Sequence, residues 1–257
     1  MTTNRKLLEG KTAIVTGGAS GIGAAVAQQL ADNGASVVIA DVADNGEEFA
    51  TKIRTAGGRA LFVRTDVSRS AEIGKTVETL QREFGGLDIL VNCAGIFPRA
   101  NLLNTDEQLW DRIMNVNLKG VYLCCKAVVP LMKERGGGSI VNIGSNHAAA
   151  GSAELFAYSV SKGGLLTLTR NLARALATYN IRVNCVNPGW VATEGEVALR
   201  ESEGRSREWL EEQGRRSLLG RLQTGEDLAA AVLFLVMPQA GQINGQIFSV
   251  DGGASAR

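Results

Sequence analysis

The chain has 257 residues, 45 % of them hydrophobic, enough to bury a substantial core and to form one α/β domain. Its formal net charge is only +1 and no basic run stands out, which argues against nucleic acid as a partner. The longest apolar stretch, Ala229 to Met237, is far too short to span a bilayer, so no membrane association is expected.

The N-terminal stretch Met1 to Gly10 has no apolar signal region, and the expectation is a soluble, cytoplasmic protein. Cys93, Cys124, Cys125 and Cys185 show neither C-x-x-C spacing nor clustering with the single histidine, His147. They read as small buried apolar residues in a reducing compartment, and no metal site is expected.

Short apolar runs alternate with amphipathic helical stretches along the whole chain, the pattern of a parallel sheet covered on both faces. The expected strands are Thr12 to Thr16, Ser36 to Ala40, Ala60 to Arg64, Ile89 to Asn92, Ser139 to Ile143, Ile181 to Asn187 and Gln246 to Val250. Seven strands of this kind fit a Rossmann-type doubly wound sheet, and no linker or repeat divides residues 1 to 257 into more than one domain. The segment from Glu194 to Arg216 departs from the rest, with acids and bases alternating densely around Trp209 and Leu210. It reads as a solvated helical pair, and residues 193 to 216 as a lid over a substrate; the two readings are compatible.

The first expected strand runs into Thr16-Gly-Gly-Ala-Ser-Gly-Ile-Gly23 and then into a helical stretch, Ala24 to Ala31. A glycine-rich turn between strand and helix lets backbone N–H groups face a pyrophosphate with the helix dipole assisting. Gly17 and Gly21 would allow the tight turn, and Gly23 close packing of helix on strand. Asp41 follows eighteen residues after Gly23, at the end of the second strand. A carboxylate there accepts ribose hydroxyls and repels a 2′-phosphate, and Val42 supplies no cation, so NAD is the expected cofactor.

Tyr158 and Lys162 are four residues apart and stand on one face of a helix, with Ser145 thirteen residues upstream of the tyrosine. A phenol alone is a poor base at neutral pH, and an ammonium one turn away favours its phenolate. Tyr-x-x-x-Lys is also a common amphipathic contact; the upstream serine and the glycine turn make it an acid/base device here.

The order Gly17, Gly21, Gly23, then Asp66-Val67, Asn92-Cys-Ala-Gly95, Asn115-Val-Asn117-Leu, Ser145, Tyr158, Lys162, Pro188-Gly189 and Thr193 resembles the short-chain dehydrogenase/reductase (SDR) family through nearly the whole chain. Cys93 departs from the second Asn of many members. The resemblance implies a catalytic tetrad of Asn117, Ser145, Tyr158 and Lys162. Tyr158 would exchange the proton of a secondary alcohol, Ser145 would donate to its oxygen, Lys162 would also hold the nicotinamide ribose, and Asn117 would anchor a water leading to Lys162. It also implies a cofactor site of Gly17, Ser20, Gly21, Ile22, Gly23, Asp41, Asp66, Val67, Asn92, Ala94, Gly95, Pro188, Gly189, Val191 and Thr193, together with Tyr158 and Lys162. Plainer alternatives stand beside some of these: Asp41 as a strand-end turn residue, Asn117 as a satisfied core amide, Asp66 as a helix cap and Thr193 as a turn hydroxyl.

For a small-molecule substrate, Ser145, His147, Phe156, Tyr158 and Trp190 are the candidate contacts, with Asn146 and Phe97 as further pocket walls. Asn146, His147, Glu154 and the lid acids make the pocket polar, which favours a sugar or sugar acid as substrate. A 3-oxoacyl-[acyl-carrier-protein] reductase is the alternative, kept open by Arg135 and Arg182, and a non-catalytic nucleotide-binding regulator is the alternative from another class. The stretches Val116 to Lys133 and Ser161 to Ala177 are apolar over more than one face, and in the resembled family such helices pair protomers, so a homotetramer is expected.

Overall fold

The computed structural model describes residues 6 to 256. Residues 1 to 5, part of the N-terminal stretch read above, and residue 257 lie outside the described residues. Seven strands form one parallel sheet: β1 (Thr12–Thr16), β2 (Ser36–Asp41), β3 (Arg59–Arg64), β4 (Ile89–Asn92), β5 (Gly138–Ile143), β6 (Ile181–Pro188) and β7 (Ile247–Val250). Their spatial order is β3-β2-β1-β4-β5-β6-β7, so the chain turns back between β1 and β4. Every residue of β1, β2 and β4 is buried, as in a sheet covered on both sides, which is why these strands read as unbroken apolar runs.

The strand period separates two cores. Ala13, Val15, Val37 and Ile39 pack on one side with α1 (Gly21–Asp32), α2 (Gly46–Thr55) and α10 (Gly225–Val236). Ile14, Val38 and Leu90 face the other, under α3 (Ser70–Phe84), α5 (Gly120–Glu134) and α7 (Phe156–Leu176). Between them in sequence lie α4 (Glu107–Met114) and the short α6 (His147–Ala150), and α8 (Glu194–Ser202) and α9 (Arg207–Arg215) follow β6. The last two are the helical pair expected at 194 to 216.

The expected strands all form, with differences of a residue or so at their ends. β2 extends to Asp41, which pairs with Arg64, and β6 extends through Pro188, which pairs with Val250. Gln246 sits just before β7, its N–H bound instead to the Asn184 side chain at 3.0 Å. The first helix begins at Gly21 rather than Ala24, because the glycine turn is itself the helix start. The apolar stretch from Val116 does not open as a regular helix: Asn115–Lys119 forms one π-turn between α4 and α5. Such a turn commonly marks a functional site, and it directs Asn117 inward, fully buried.

The turn after β1 is built by exclusion of side chains. A Cβ on Gly23 would lie 1.9 Å from the Gly17 carbonyl oxygen, and one on Gly17, whose φ is +63°, would lie 2.7 Å from the Ala94 Cα. Gly74, inside α3, has open space where a Cβ would go. Gly23→Ala should therefore lower unfolding free energy by about 1–3 kcal/mol, the usual cost of overpacking against an unyielding group. Gly74→Ala should raise it by about 0.5–1 kcal/mol through helix propensity. Urea unfolding of the two variants measures both, and opposite signs are the expected result.

Candidate active site

The carboxyl ends of β1 and β4 separate at the point where strand order reverses, and loops from β1, β2, β4, β5 and β6 open there around one cleft of about 1150 Å³. This is where open α/β sheets bind ligands. Gly17, Ser20, Gly21, Ile22, Gly23, Asp41, Asp66, Val67, Ala94, Gly95, Pro188, Gly189, Val191 and Thr193 line it, as do Ser145, His147, Tyr158, Lys162 and Trp190.

Three candidate residues do not line the cleft. Phe156 turns to Trp110, 6.2 Å between ring centroids, and is a packing residue between α7 and α4. Asn92 lies beneath the cleft, donating to Asn142 Oδ1 at 2.8 Å, while Asn142 donates to Thr169 Oγ1 at 2.9 Å, so these amides join β4, β5 and α7. Asn117 accepts from the Ile96 N–H at 2.8 Å and donates to the Ile96 carbonyl at 2.8 Å and to Ser161 Oγ at 3.1 Å. Its amide clamps the loop after β4, as a core amide would, with one acceptor site of its oxygen left over.

The nucleotide end fits a dinucleotide. Ser20 caps α1 with its backbone but makes no side-chain bond to the first turn, so the N–H groups there are open toward the cleft. Gly17 and Gly23 let the turn pack directly on the β4 loop and on itself, where a Cβ on either would strike backbone, and the tight turn so formed leaves its N–H groups facing the cleft, as a pyrophosphate site requires. Thr16 Oγ1 accepts from the N–H groups of Cys93 and Ala94 at 3.1 and 3.2 Å, tying the β4 loop to this turn. Asp41 is buried, its two oxygens taken by the N–H groups of Ala19 at 2.9 Å and Ala43 at 3.0 Å, so the carboxylate is held fixed at the cleft wall. Asp66 caps nothing; it accepts from Ser68 N and Oγ in the loop after β3. Thr193 accepts from the Glu196 N–H at 3.2 Å as the cap of α8, and its methyl is 3.3 Å from where a Gly21 Cβ would stand.

At the other end α7 presents Tyr158 and Lys162 one turn apart. Lys162 is buried and donates to the Ile143 carbonyl at 2.7 Å, with its nitrogen 5.7 Å from the tyrosine ring centre. The Tyr158 hydroxyl makes no hydrogen bond to any described residue, and its ring is flanked edge-on by Phe97 at 6.3 Å and His147 at 6.4 Å. Ser145, next after Gly144 at the end of β5, has its N–H held by Asn187 Oδ1 at 3.1 Å, and its oxygen accepts from the His147 N–H at 3.2 Å. A serine oxygen already accepting from backbone keeps its own proton to give. His147 is half-buried, and its Nδ1 lies 3.4 Å from the Gly151 carbonyl oxygen.

Several cleft residues had no signal in the sequence. Arg99, Arg112 and Arg200 all line it, as do Ser152, Leu155 and Ala254. Arg99 alternates with Phe97 after the Asn92 to Gly95 run, and Arg200 stands four residues after Glu196; only the fold turns both toward the cleft. Arg135 and Arg182, by contrast, lie at the amino ends of β5 and β6. Arg182 donates to the carbonyls of Leu235 at 2.8 Å and Ile243 at 3.2 Å, and Arg135 approaches Asp88 at 3.5 Å. Neither reaches the cleft. Burial pushes the thiols of Cys93, Cys125 and Cys185 up to about 12, and that of Cys124 upward as well, so all four are uncharged. No group of metal-ligating residues occurs among the described residues, and no described helix is long and apolar enough to cross a membrane.

A family model described as enoyl-(acyl-carrier-protein) reductase matches residues 17–255. A curated relative from Sinomonas cyclohexanicum, cis-4-hydroxycyclohexanecarboxylate dehydrogenase, is 42% identical and aligns over 96% of this chain and 97% of its own. A 3-oxoacyl-[acyl-carrier-protein] reductase of Chlamydia muridarum is 36% identical over 96% of this chain and 98% of its own. Among solved structures, a Beutenbergia cavernae protein described as a candidate NAD(P)-dependent gluconate 5-dehydrogenase, with NADP bound at low occupancy, superposes with a TM-score of 0.89 at 34% identity, covering 99% of this chain and 100% of its own. The chain belongs to the short-chain dehydrogenase/reductase family and is an NAD(P)-dependent oxidoreductase acting on CH–OH groups.

Proposed function

We propose that the protein interconverts a secondary alcohol and a ketone on a small polar substrate, a sugar or sugar acid, with NAD as the preferred cofactor. The observation that carries this is the meeting in one cleft of an unbonded Tyr158 hydroxyl, the buried Lys162 ammonium and a Ser145 hydroxyl with its proton free to donate. NAD would be held by the Gly17 to Gly23 turn, by Asp41 and by Lys162, and when bound it supplies the acceptor for the hydrogen on the substrate carbon. Tyr158 takes the hydroxyl proton in oxidation and returns it in reduction. Lys162 stands one turn away, its nitrogen 5.7 Å from the phenol ring centre. Ser145 donates to the substrate oxygen, where a fixed donor in a site sheltered from water is effective. Asn117 acts through the loop it clamps, and Asn187 through Ser145, which it orients.

The preference for a polar substrate is supported by Arg99, Asn146, His147, Ser152 and Glu154 around the cleft. The relative acting on a hydroxycyclohexanecarboxylate and the neighbour assigned to gluconate carry names of the same chemical kind. The basic pair that would have favoured a carrier-protein substrate is engaged elsewhere in the fold. The α8–α9 segment over the cleft acts as the lid. A second groove, lined by Tyr122, Val129, Leu172 and Leu176 of α5 and α7, supports assembly through these helices into a homotetramer.

Tyr158→Phe should lower kcat about 10²-fold or more, the range for loss of a positioned acid/base, while leaving the nucleotide dissociation constant close to that of the unaltered enzyme. Steady-state rates and fluorescence titration read the two separately, and an unreduced kcat excludes Tyr158 from proton transfer. Because the Asp41 carboxylate is fixed and no cation neighbours it on Val42, kcat/KM should be higher with NAD than with NADP. The double substitution Asp41→Ala, Val42→Arg should narrow the gap. An NADP preference in the unaltered enzyme contradicts this reading.

A further inference from the structure

Four charges join α8 to the loop after β4. Glu203, which ends α8, faces Arg99 at 3.2 Å with one oxygen and Arg200 at 3.0 Å with the other. Arg200 also gives its Nε and Nη2 to Glu196 Oε1 at 2.7 Å, and that oxygen receives the Trp190 indole N–H at 2.8 Å. With only 11% of its side chain exposed and its guanidinium 5.2 Å from the Trp190 ring and 6.0 Å from that of Trp209, Arg200 is met by two carboxylates and two aromatic faces. It is structural.

Arg99 differs. It makes one ion pair, to Glu203, and no hydrogen bond to any described residue, and it lines the cleft with 34% of its side chain exposed. A planar five-donor fork in a cleft wall with so few donors engaged suits an incoming carboxylate. Its position is not that of a free loop. Ala100 bridges in parallel to Leu155, its N–H bound to the Glu154 carbonyl at 2.9 Å and its carbonyl to the Phe156 N–H at 3.1 Å. Two residues before Arg99, Phe97 lies edge-on to Tyr158. The 97 to 100 segment is thus laid along the start of the catalytic helix, with Glu203 fixing the guanidinium from the α8 side. Arg112 also lines the cleft, but it is exposed on α4 and lacks any such scaffold.

We propose that the substrate is a small hydroxy acid whose carboxylate is bound by the Arg99 guanidinium while its secondary hydroxyl meets Tyr158 and Ser145. The assignment rests on the reading of Tyr158 as the proton-transfer residue and narrows the substrate from polyhydroxy compounds in general to carboxylates. Arg99 shares its charge with Glu203, so what it offers an incoming group is its unengaged donors, enough for one carboxylate; a phosphate dianion would need a further cation at the same place. Glu203 is a positioning residue that orients Arg99 and ties its occupancy to α8.

The test pairs each acid with its neutral isostere: D-gluconate with D-gluconamide, and cis-4-hydroxycyclohexanecarboxylate with its carboxamide. Kinetics are measured with NAD, and calorimetric titration of the NADH-bound enzyme with gluconate and gluconamide reads binding without turnover. The unaltered enzyme should favour the acid by about 10-fold or more, and Arg99→Gln should raise KM and Kd for the acid about 10- to 100-fold beyond any change for the amide, the scale of a lost charge-assisted pair. Arg99→Lys should fall between. Equal use of acid and amide by the unaltered enzyme, or equal loss of both in Arg99→Gln, overturns the Arg99 assignment and leaves the secondary-alcohol reading standing. Arg99-dependent binding of gluconate without oxidation of any of the four compounds upholds the carboxylate site and overturns the proposed reaction. Absence of both binding and turnover overturns both.

Discussion

A buried ammonium has to be answered by something, and in this protein Lys162 is answered by one backbone oxygen. Its bond to the Ile143 carbonyl is 2.7 Å long, and no carboxylate pairs with it among the described residues. Burying a cation is costly unless its N–H donors find acceptors, and only one of the three is taken here by protein. The cleft is where the others can find theirs. The bond fixes the end of β5 to α7, and so sets Ser145, two residues beyond Ile143, opposite Tyr158, one turn before Lys162.

Supporting groups converge on this point from separate elements. Asn117 holds the β4 loop, Asn187 on β6 holds the Ser145 N–H, and Asp251 after β7 receives the Asn146 amide at 2.7 Å. Burial alone pushes the Asp251 carboxyl up, but hydrogen bonds from Ser255, Asn146 and Gly253 outweigh it and bring the net shift downward, in keeping with an ionised group. Asn187 holds the serine directly and Asp251 holds its neighbour Asn146, so bonds between distant parts of the chain keep the donor aligned without reorganisation during reaction.

The sheet was legible in the sequence because an all-parallel sheet leaves its strands as continuous apolar runs, and the glycine turn because strand, glycines and helix follow one another directly. Tyr158, Lys162, Ser145 and Asp41 were legible because their spacing is set by single helices and strand ends. What was not legible depends on elements meeting across the cleft. Arg99 and Arg200 look in the sequence like two more surface arginines, and only the bridge from Ala100 to Leu155 and the position of α8 bring them to one site. Phe156 illustrates the converse. Its place two residues before Tyr158 suggested a pocket wall, but the helical step turns it toward Trp110. Asn117 was found by its motif, while its bonding pattern follows from a π-turn that no periodicity announces.

The central claim is that this cleft holds a nicotinamide dinucleotide against Lys162, the buried cation around which the site is arranged. Calorimetric titration of NADH into the unaltered enzyme and Lys162→Met tests it most directly. The account predicts one nucleotide per chain with a dissociation constant on the order of micromolar, weakened about 10-fold or more by the substitution. Equal affinity in the two proteins, with circular dichroism showing Lys162→Met folded, would contradict it.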